Sequence, residues 1–197
     1  GLSHTQFNPL QKGFKKEQFA ATERNGNTRD HMIGFPGVRT YTIQGEVHDE
    51  KAFYSLSGVA GHAGLFSRAQ DLAVLAQMML NGGGYGGYKL CDQATVTYYT
   101  KPTDRNNRFG LGWNKGGVSD NVYEFGPYAG DQVIGHTGWV GIDSCIDLKN
   151  DMAIILLTNK VHAPNVPGAP NTFATATFET GKYGSIMSLV YEALLEK

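Results

Sequence analysis

The chain has 197 residues, of which 41% are hydrophobic and 18% charged, and its net charge is −1. These totals supply enough apolar side chain for a packed core, exclude a disordered polymer, and fit one domain or a large part of one. A near-neutral balance with no Lys/Arg run argues against nucleic acid or an anionic membrane surface as a partner.

Residues 1–37 read as an irregular polar N-terminal segment, punctuated by Asn25-Gly26-Asn27 and Phe35-Pro36-Gly37. A short strand is expected within 38–47, carried by Val38, Tyr41 and Ile43. Gly58–Gly64 is a loop of small residues around His62. The clearest helix covers 68–80. Ser67 is placed to cap it and Gln70 to complete a capping box. Leu72, Leu75, Ala76, Met79 and Leu80 form one apolar stripe, and Asn81-Gly82-Gly83 stops the helix. A shorter helix is expected at 92–100, started by Asp92.

Beyond Arg108 the pattern becomes β. Phe109–Trp113, Gln132–Thr137 and Gly141–Leu148 read as strands. The continuous apolar run Met152–Thr158 reads as a central strand buried on both faces. Lys149-Asn150-Asp151 turns the last two strands into an antiparallel hairpin. Residues 163–180 read as a Pro/Ala/Thr-rich loop. A final helix at 181–196 places Ile186, Leu189, Val190, Ala193 and Leu194 on one face. The expected class is α+β, an antiparallel sheet with flanking helices.

Cys91 and Cys145 are far apart and have no metal-type spacing, so free buried thiols are expected in preference to a disulfide. No apolar run approaches the ~20 residues of a membrane span. No signal-peptide pattern precedes Gly1, which leaves export open.

Several spaced motifs agree in order. They are Gly45-Glu46-Val47-His48-Asp49-Glu50, then Gly58–Ser67, Asp71-Leu72-Ala73, Asn81-Gly82-Gly83, His136-Thr137-Gly138 and Leu157-Thr158-Asn159-Lys160-Val161-His162. Together they resemble the C-terminal half of class C-type β-lactamase-related serine hydrolases, a group that includes penicillin-binding-protein-like peptidases and esterases. His136-Thr137-Gly138 is similar to the family's Lys-Thr-Gly triad, with His in place of the common Lys.

The resemblance implies a nucleophilic Ser with a Lys partner in Ser-x-x-Lys and a Tyr base in Tyr-x-Asn. No Ser of this chain has Lys three residues later, and no Tyr-x-Asn occurs. A Ser hydroxyl is a weak nucleophile until a neighbour takes its proton. The expectation is therefore a partial domain over 1–197: the C-terminal part of a hydrolase cleaving a β-lactam, cell-wall peptide or small ester. No catalytic residue is expected in the chain itself, the nucleophile being expected upstream, and the chain alone is expected to be inactive. A non-catalytic binding or accessory module of the same fold is the alternative. Ser119-Asp120-Asn121 lies too close to His136 for the family's motif order and reads as a polar turn.

The substrate-binding and oxyanion residues implied by the resemblance are His136, Thr137, Gly138 and Trp139, while His62, at the rim of the cleft, reads either as a substrate contact or as a His bonded to local backbone. The triad strand would bind a substrate carboxylate and pair with its amide. The backbone N–H of Trp139 or a near neighbour would serve the oxyanion hole. His for Lys replaces a fixed charge by a group whose ordinary pKa is about 6.5, which favours esterase or peptidase activity over penicillin hydrolysis. His48, Asp49 and Glu50 read as a structural network bracing the Gly58–Gly64 loop, with no metal and no cofactor implied. The expected partners are a small-molecule or peptidoglycan-derived substrate and the missing N-terminal half. A fused glycoside hydrolase and a homodimer through an exposed sheet complete the set. The resemblance implies a periplasmic or extracytoplasmic location.

Overall fold

Polar, glycine-broken sequence ahead of residue 50 forms little regular structure in the computed structural model, which describes residues 1–177 and 181–195. In chain order the elements are β1 (Gln6–Phe7), α1 (Glu50–Ser55), β2 (Leu65–Phe66), α2 (Ala69–Leu80), β3 (Gly84–Tyr85), β4 (Tyr88–Lys89), α3 (Gln93–Thr100) and β5 (Asn114–Lys115). There follow α4 (Val122–Phe125), β6 (Val133–Gly138), β7 (Ile142–Asp147), β8 (Met152–Leu157), β9 (Asn165–Val166), β10 (Ala169–Phe173) and α5 (Tyr183–Leu195). They belong to two compact units. One holds residues 1–71, 139–141 and 158–177; the other holds 72–138, 142–157 and, of the remaining described residues, 181–195.

In the first unit, β1 pairs antiparallel with β2. Phe19 meets Phe66 edge-on at 5.3 Å. The strand expected within 38–47 does not form, and a single bridge joins Ala21 to Gln44. Ile43 exchanges backbone hydrogen bonds with Thr22 and Glu23. Its neighbour Arg39 turns inward instead of alternating along a ladder. The Arg39 guanidinium donates to Asn27 Oδ1 (2.9 Å), Val47 O (2.8 Å) and His48 O (3.0 Å) and lies 3.7 Å from the Phe53 ring centre. Arg29 is equally buried and pairs with Glu23 and with Glu50. Buried charges persist only when paired and hydrogen-bonded, so this network consumes the polar groups of the irregular segment.

The expected loop at 163–180 is also different: β9 and β10 form a hairpin turned at Gly168. Polar fasteners set it. Asn165 N–H donates to Asp30 Oδ2 at 2.6 Å and its side chain to Pro170 O at 2.8 Å. Apolar periodicity could not reveal it, and residues 178–180 of that expectation lie outside the described residues.

In the second unit, β5-β6-β7-β8 form an antiparallel sheet in that order. One face packs Val133 and Cys145 against Phe125, Met187 and Tyr191; the other packs Ile134 and Ile146 against Ala76, Met79 and Leu80. The hairpin at Lys149-Asn150-Asp151 is present. Asp147 Oδ1 accepts both the Lys149 and Asn150 N–H at 3.0 Å, an Asx-type lock. The sequence expectation of a two-sided central strand is corrected for β8. It is the last strand in the order, and among the described residues none pairs its outer edge.

α2 and α3 match their expected spans. Asp92 caps α3 by accepting the Thr95 N–H at 2.8 Å. The cap expected at Ser67 is absent, because its hydroxyl pairs with Thr5 Oγ1 at 2.8 Å. Phe109–Trp113 forms no strand; the pairing begins one residue later, at Asn114. α5 also presents a different stripe. Met187 and Tyr191 are buried, whereas Leu189 and Leu194 are exposed. Gly126 and Gly184 set this rotation: a Cβ on Gly126, whose φ is +74°, would meet Gly184 O at 2.7 Å. The two backbones therefore touch where any larger side chain would separate them. Residue 196 lies outside the described residues.

Candidate functional site

The order of β6 residues sorts the triad onto two faces. Ile134, His136 and Gly138 project to one side, Gly135 and Thr137 to the other. Their partners across β7 are Ser144 for His136, Asp143 for Thr137 and Ile142 for Gly138. On the opposite edge, β5 pairs only with Gly135 and Ile134. From His136 onward that edge of β6 has no strand partner among the described residues. Its backbone groups are a template for an extended chain.

His136 is exposed, and its Nδ1–H donates to Thr137 O at 2.7 Å, so Nε2 is the ring nitrogen left for a ligand, a donor when the ring is protonated. Ser144 Oγ sits 3.3 Å from both His136 N and His136 O and steadies this stretch. A Cβ at Gly138 would lie 3.3 Å from Ile142 Cβ, so the strand end leaves little room for a side chain.

The other two expected site residues belong to the first unit. Trp139 is half exposed and meets Phe173 edge-on at 6.4 Å. His62 is exposed, with Nε2 3.3 Å from Asp49 Oδ1. The His48-Asp49-Glu50 run splits three ways. His48 Nδ1 meets Thr22 Oγ1 at 3.0 Å and Nε2 lies 3.4 Å from Glu23. Asp49 caps α1, and Glu50 pairs with Arg29. Burial, with Arg29 and Arg39 adding to it, pushes His48 down to about 4.

Sequence reasoning missed two fully buried carboxyls of the second unit, Glu124 and Asp143. Burial, with Glu124 adding to it, pushes Asp143 up to about 8. Burial also raises Glu124, against the hydrogen bond that Asn114 Nδ2 donates to its Oε2 at 2.6 Å. Ile-Asp-Ser-Cys-Ile-Asp reads as ordinary strand alternation, so nothing in the string marks Asp143 as interior. Ser119-Asp120-Asn121 is the turn expected, a single 3-10 turn, but Asn121 is buried and clamps Arg108 O (3.0 Å) and Lys115 O (2.8 Å). Both cysteines are free; Cys145 is buried, while Cys91 is only half-buried, less than expected.

The family model described as Beta-lactamase matches residues 1–177. The chain is 53% identical over 195 residues to an N-acetylmuramyl-L-alanine amidase of Bacillus subtilis (strain 168), covering 98% of this chain and 44% of that protein. It is 51% identical to a putative D-alanyl-D-alanine carboxypeptidase of Escherichia coli (strain K12), covering 100% and 46%. A protein of the same description from Salmonella gallinarum is also 51% identical, covering 98% and 45%. The chain thus spans a little under half the length of these relatives.

These matches correct the reading of the chain as merely the C-terminal part of a family domain. The family model matches most of the chain, and the relatives align with 98–100% of it at 51–53% identity. Similarity is spread over the whole chain, not confined to a few motifs. The expectations of an inactive fragment, a partial fold, a binding-only module, and an obligatory missing half or fused partner are withdrawn on the same finding.

Proposed function

We propose, from the premise that this chain belongs to the Beta-lactamase family, that its protein is a cell-wall hydrolase cleaving an amide bond of a peptidoglycan-derived peptide. The observation that carries this reading is the free edge of β6 from His136 to Gly138. A peptide substrate lies along it as an added strand, its backbone N–H and C=O groups answering those of β6. Main-chain pairing suits a peptide far better than a small ester, which has too few backbone groups to use the edge. The amidase and carboxypeptidase descriptions of the relatives support the same bond type.

In this reading His136 Nε2 meets the substrate carboxylate, Thr137 and Gly138 pair with the amide beside the scissile bond, and Gly138 lets that backbone close in. The Trp139 N–H, next along the chain, donates to the developing oxyanion; donors preorganised in this way are worth about 10²–10³ in kcat. A cell-wall substrate places the protein in a periplasmic or extracytoplasmic setting.

The test is turnover and trapping with the full-length protein. D-Ala-D-Ala-terminated peptides and muramoyl-L-alanyl peptides are supplied in parallel, and a fluorescent penicillin is used to locate any acylated Ser by mass spectrometry. Cleavage of either peptide, competed by the penicillin, supports the proposal, and the released product names the bond. A folded protein that neither cleaves a peptide nor takes up the label overturns it.

A further inference from the structure

Three carboxylate oxygens in the second unit stand out chemically. Glu124 Oε1 and both oxygens of Asp143 are buried without a hydrogen-bond partner of good geometry among the described residues. Both residues are 0% exposed. They come from different elements to one sheet face: Glu124, on α4, is held by Asn114, which pairs with Gly135 two residues from Thr137, and Thr137 pairs with Asp143 in the middle of β7. Buried carboxyls with empty lone pairs carry a large desolvation cost, so something must answer their charge. The contacts present do not suffice: Asn114 serves Glu124 Oε2, Tyr123 and His136 add to Glu124 and the Ser144 N–H to Asp143, yet burial outweighs them in both residues. No Lys or Arg forms an ion pair with either residue among the described residues.

We propose that Glu124 and Asp143 bind one hard divalent cation, calcium in preference to magnesium, as a structural site joining α4 to β7. Two carboxylates and one divalent ion sum to zero charge, the condition a buried group needs. All the donors are oxygens, the chemistry that selects calcium, magnesium or manganese over zinc. Thr137, directly across the ladder from Asp143, brings a hydroxyl to the same sheet face. The described residues contain no cluster of three or more His, Cys, Asp or Glu suited to a metal. Thr137 and water therefore complete the shell, and calcium tolerates such an irregular set where magnesium demands a near-ideal octahedron. The site takes the Thr137 hydroxyl where the edge proposed above takes the Thr137 backbone, and its test reads stability and calorimetric heat, not turnover.

The experiment is thermal unfolding of the full-length protein, stripped with EDTA and titrated with calcium, magnesium or potassium at pH 7.5, with isothermal calorimetry alongside. Calcium is expected to raise Tm by about 5–10 °C at roughly 100-fold over its Kd, magnesium less and potassium not at all. Asp143→Asn and Glu124→Gln should each abolish the shift. Unequal loss, with Asp143→Asn the more damaging, still supports the site. A folded protein whose Tm and calorimetric trace ignore calcium overturns the proposal and leaves protons to neutralise the pair. A calcium shift that persists in both variants overturns it equally.

Discussion

Asp49 Oδ1 lies 3.3 Å from His62 Nε2 and also accepts the Ala52 N–H at 2.8 Å, so one oxygen both starts α1 and holds the glycine loop. Burial pushes this carboxyl up, but the Ala52 and His62 contacts outweigh it and hold it below the ordinary Asp range. Its stabilisation is therefore complete above about pH 3.9 and is lost as pH falls through its own lower value. Asp49→Ala should cost about 1 kcal/mol in urea unfolding at pH 7, with Asn at the same position recovering most of it.

His48 has the opposite character, a base kept neutral. The unfolded chain takes up its proton near 6.5, while the folded one refuses it until about 4. Stability from this residue is full above 6.5 and declines as pH drops toward 4, by on the order of 3 kcal/mol. His48→Gln should flatten that limb of a stability–pH curve measured by denaturant melts.

Gly135 has no space for a methyl group. A Cβ there would meet the Ser144 carbonyl and sit 2.6 Å from Phe125 Cε1. Gly135→Ala should destabilise the protein by about 1–3 kcal/mol. It should also shift the amide signals of β6 and β7 together, which NMR would detect.

Asp143 titrates in the reverse sense to Asp49. The unfolded chain ionises near 3.8 and the folded chain near 8. In EDTA, stability should be greatest below 3.8 and fall steadily as pH rises to 8. Asp143→Asn should remove that slope in thermal melts, and at pH 8 the variant should be the more stable protein.

His136→Lys puts a fixed charge at the β6 edge. For a substrate with a free carboxylate, KM at pH 8 should drop by about twofold to fivefold, with kcat little changed. Capping the carboxylate as an amide should erase the gain. Gly138→Val, whose side chain would crowd Ile142 across the β6–β7 ladder and displace the strand end, should instead lower kcat/KM.

The parts legible in the string were those governed by periodicity. The α2 stripe, the Asp92 cap and the β6–β8 meander all follow from spacing and turn chemistry. Alternation along β7 could not disclose which polar residue is interior, because both faces of the sheet are covered. Asp143 and Cys145 share one face, Ile142 and Ser144 the other. The β9–β10 hairpin rests on Asn165 and Asp30, residues 135 apart, a distance no local pattern spans. β8 carries the composition of a central buried strand but sits at the end of the described order with none of its residues fully buried, since composition fixes neither pairing nor burial. For the site, the triad's strand was legible and its free edge was not. That edge exists because β5 begins only at Asn114: in the antiparallel register the residues that would face His136 to Gly138 precede it, and there Gly112, with φ +82°, turns the backbone away.

Cys145 lies between the sheet and α5, 4.0 Å from Tyr191 Oη, and burial pushes its thiol up to about 12. Nucleophilic sulfur is thiolate, and a thiol so placed forms almost none. Oxidants and alkylating agents reach it only when the β7–α5 layer opens. Cys145 is thus a clock for rare, global excursions of the fold, read out by the pace at which a thiol reagent marks it. Half-buried Cys91 records the shallower, local fluctuations beside it.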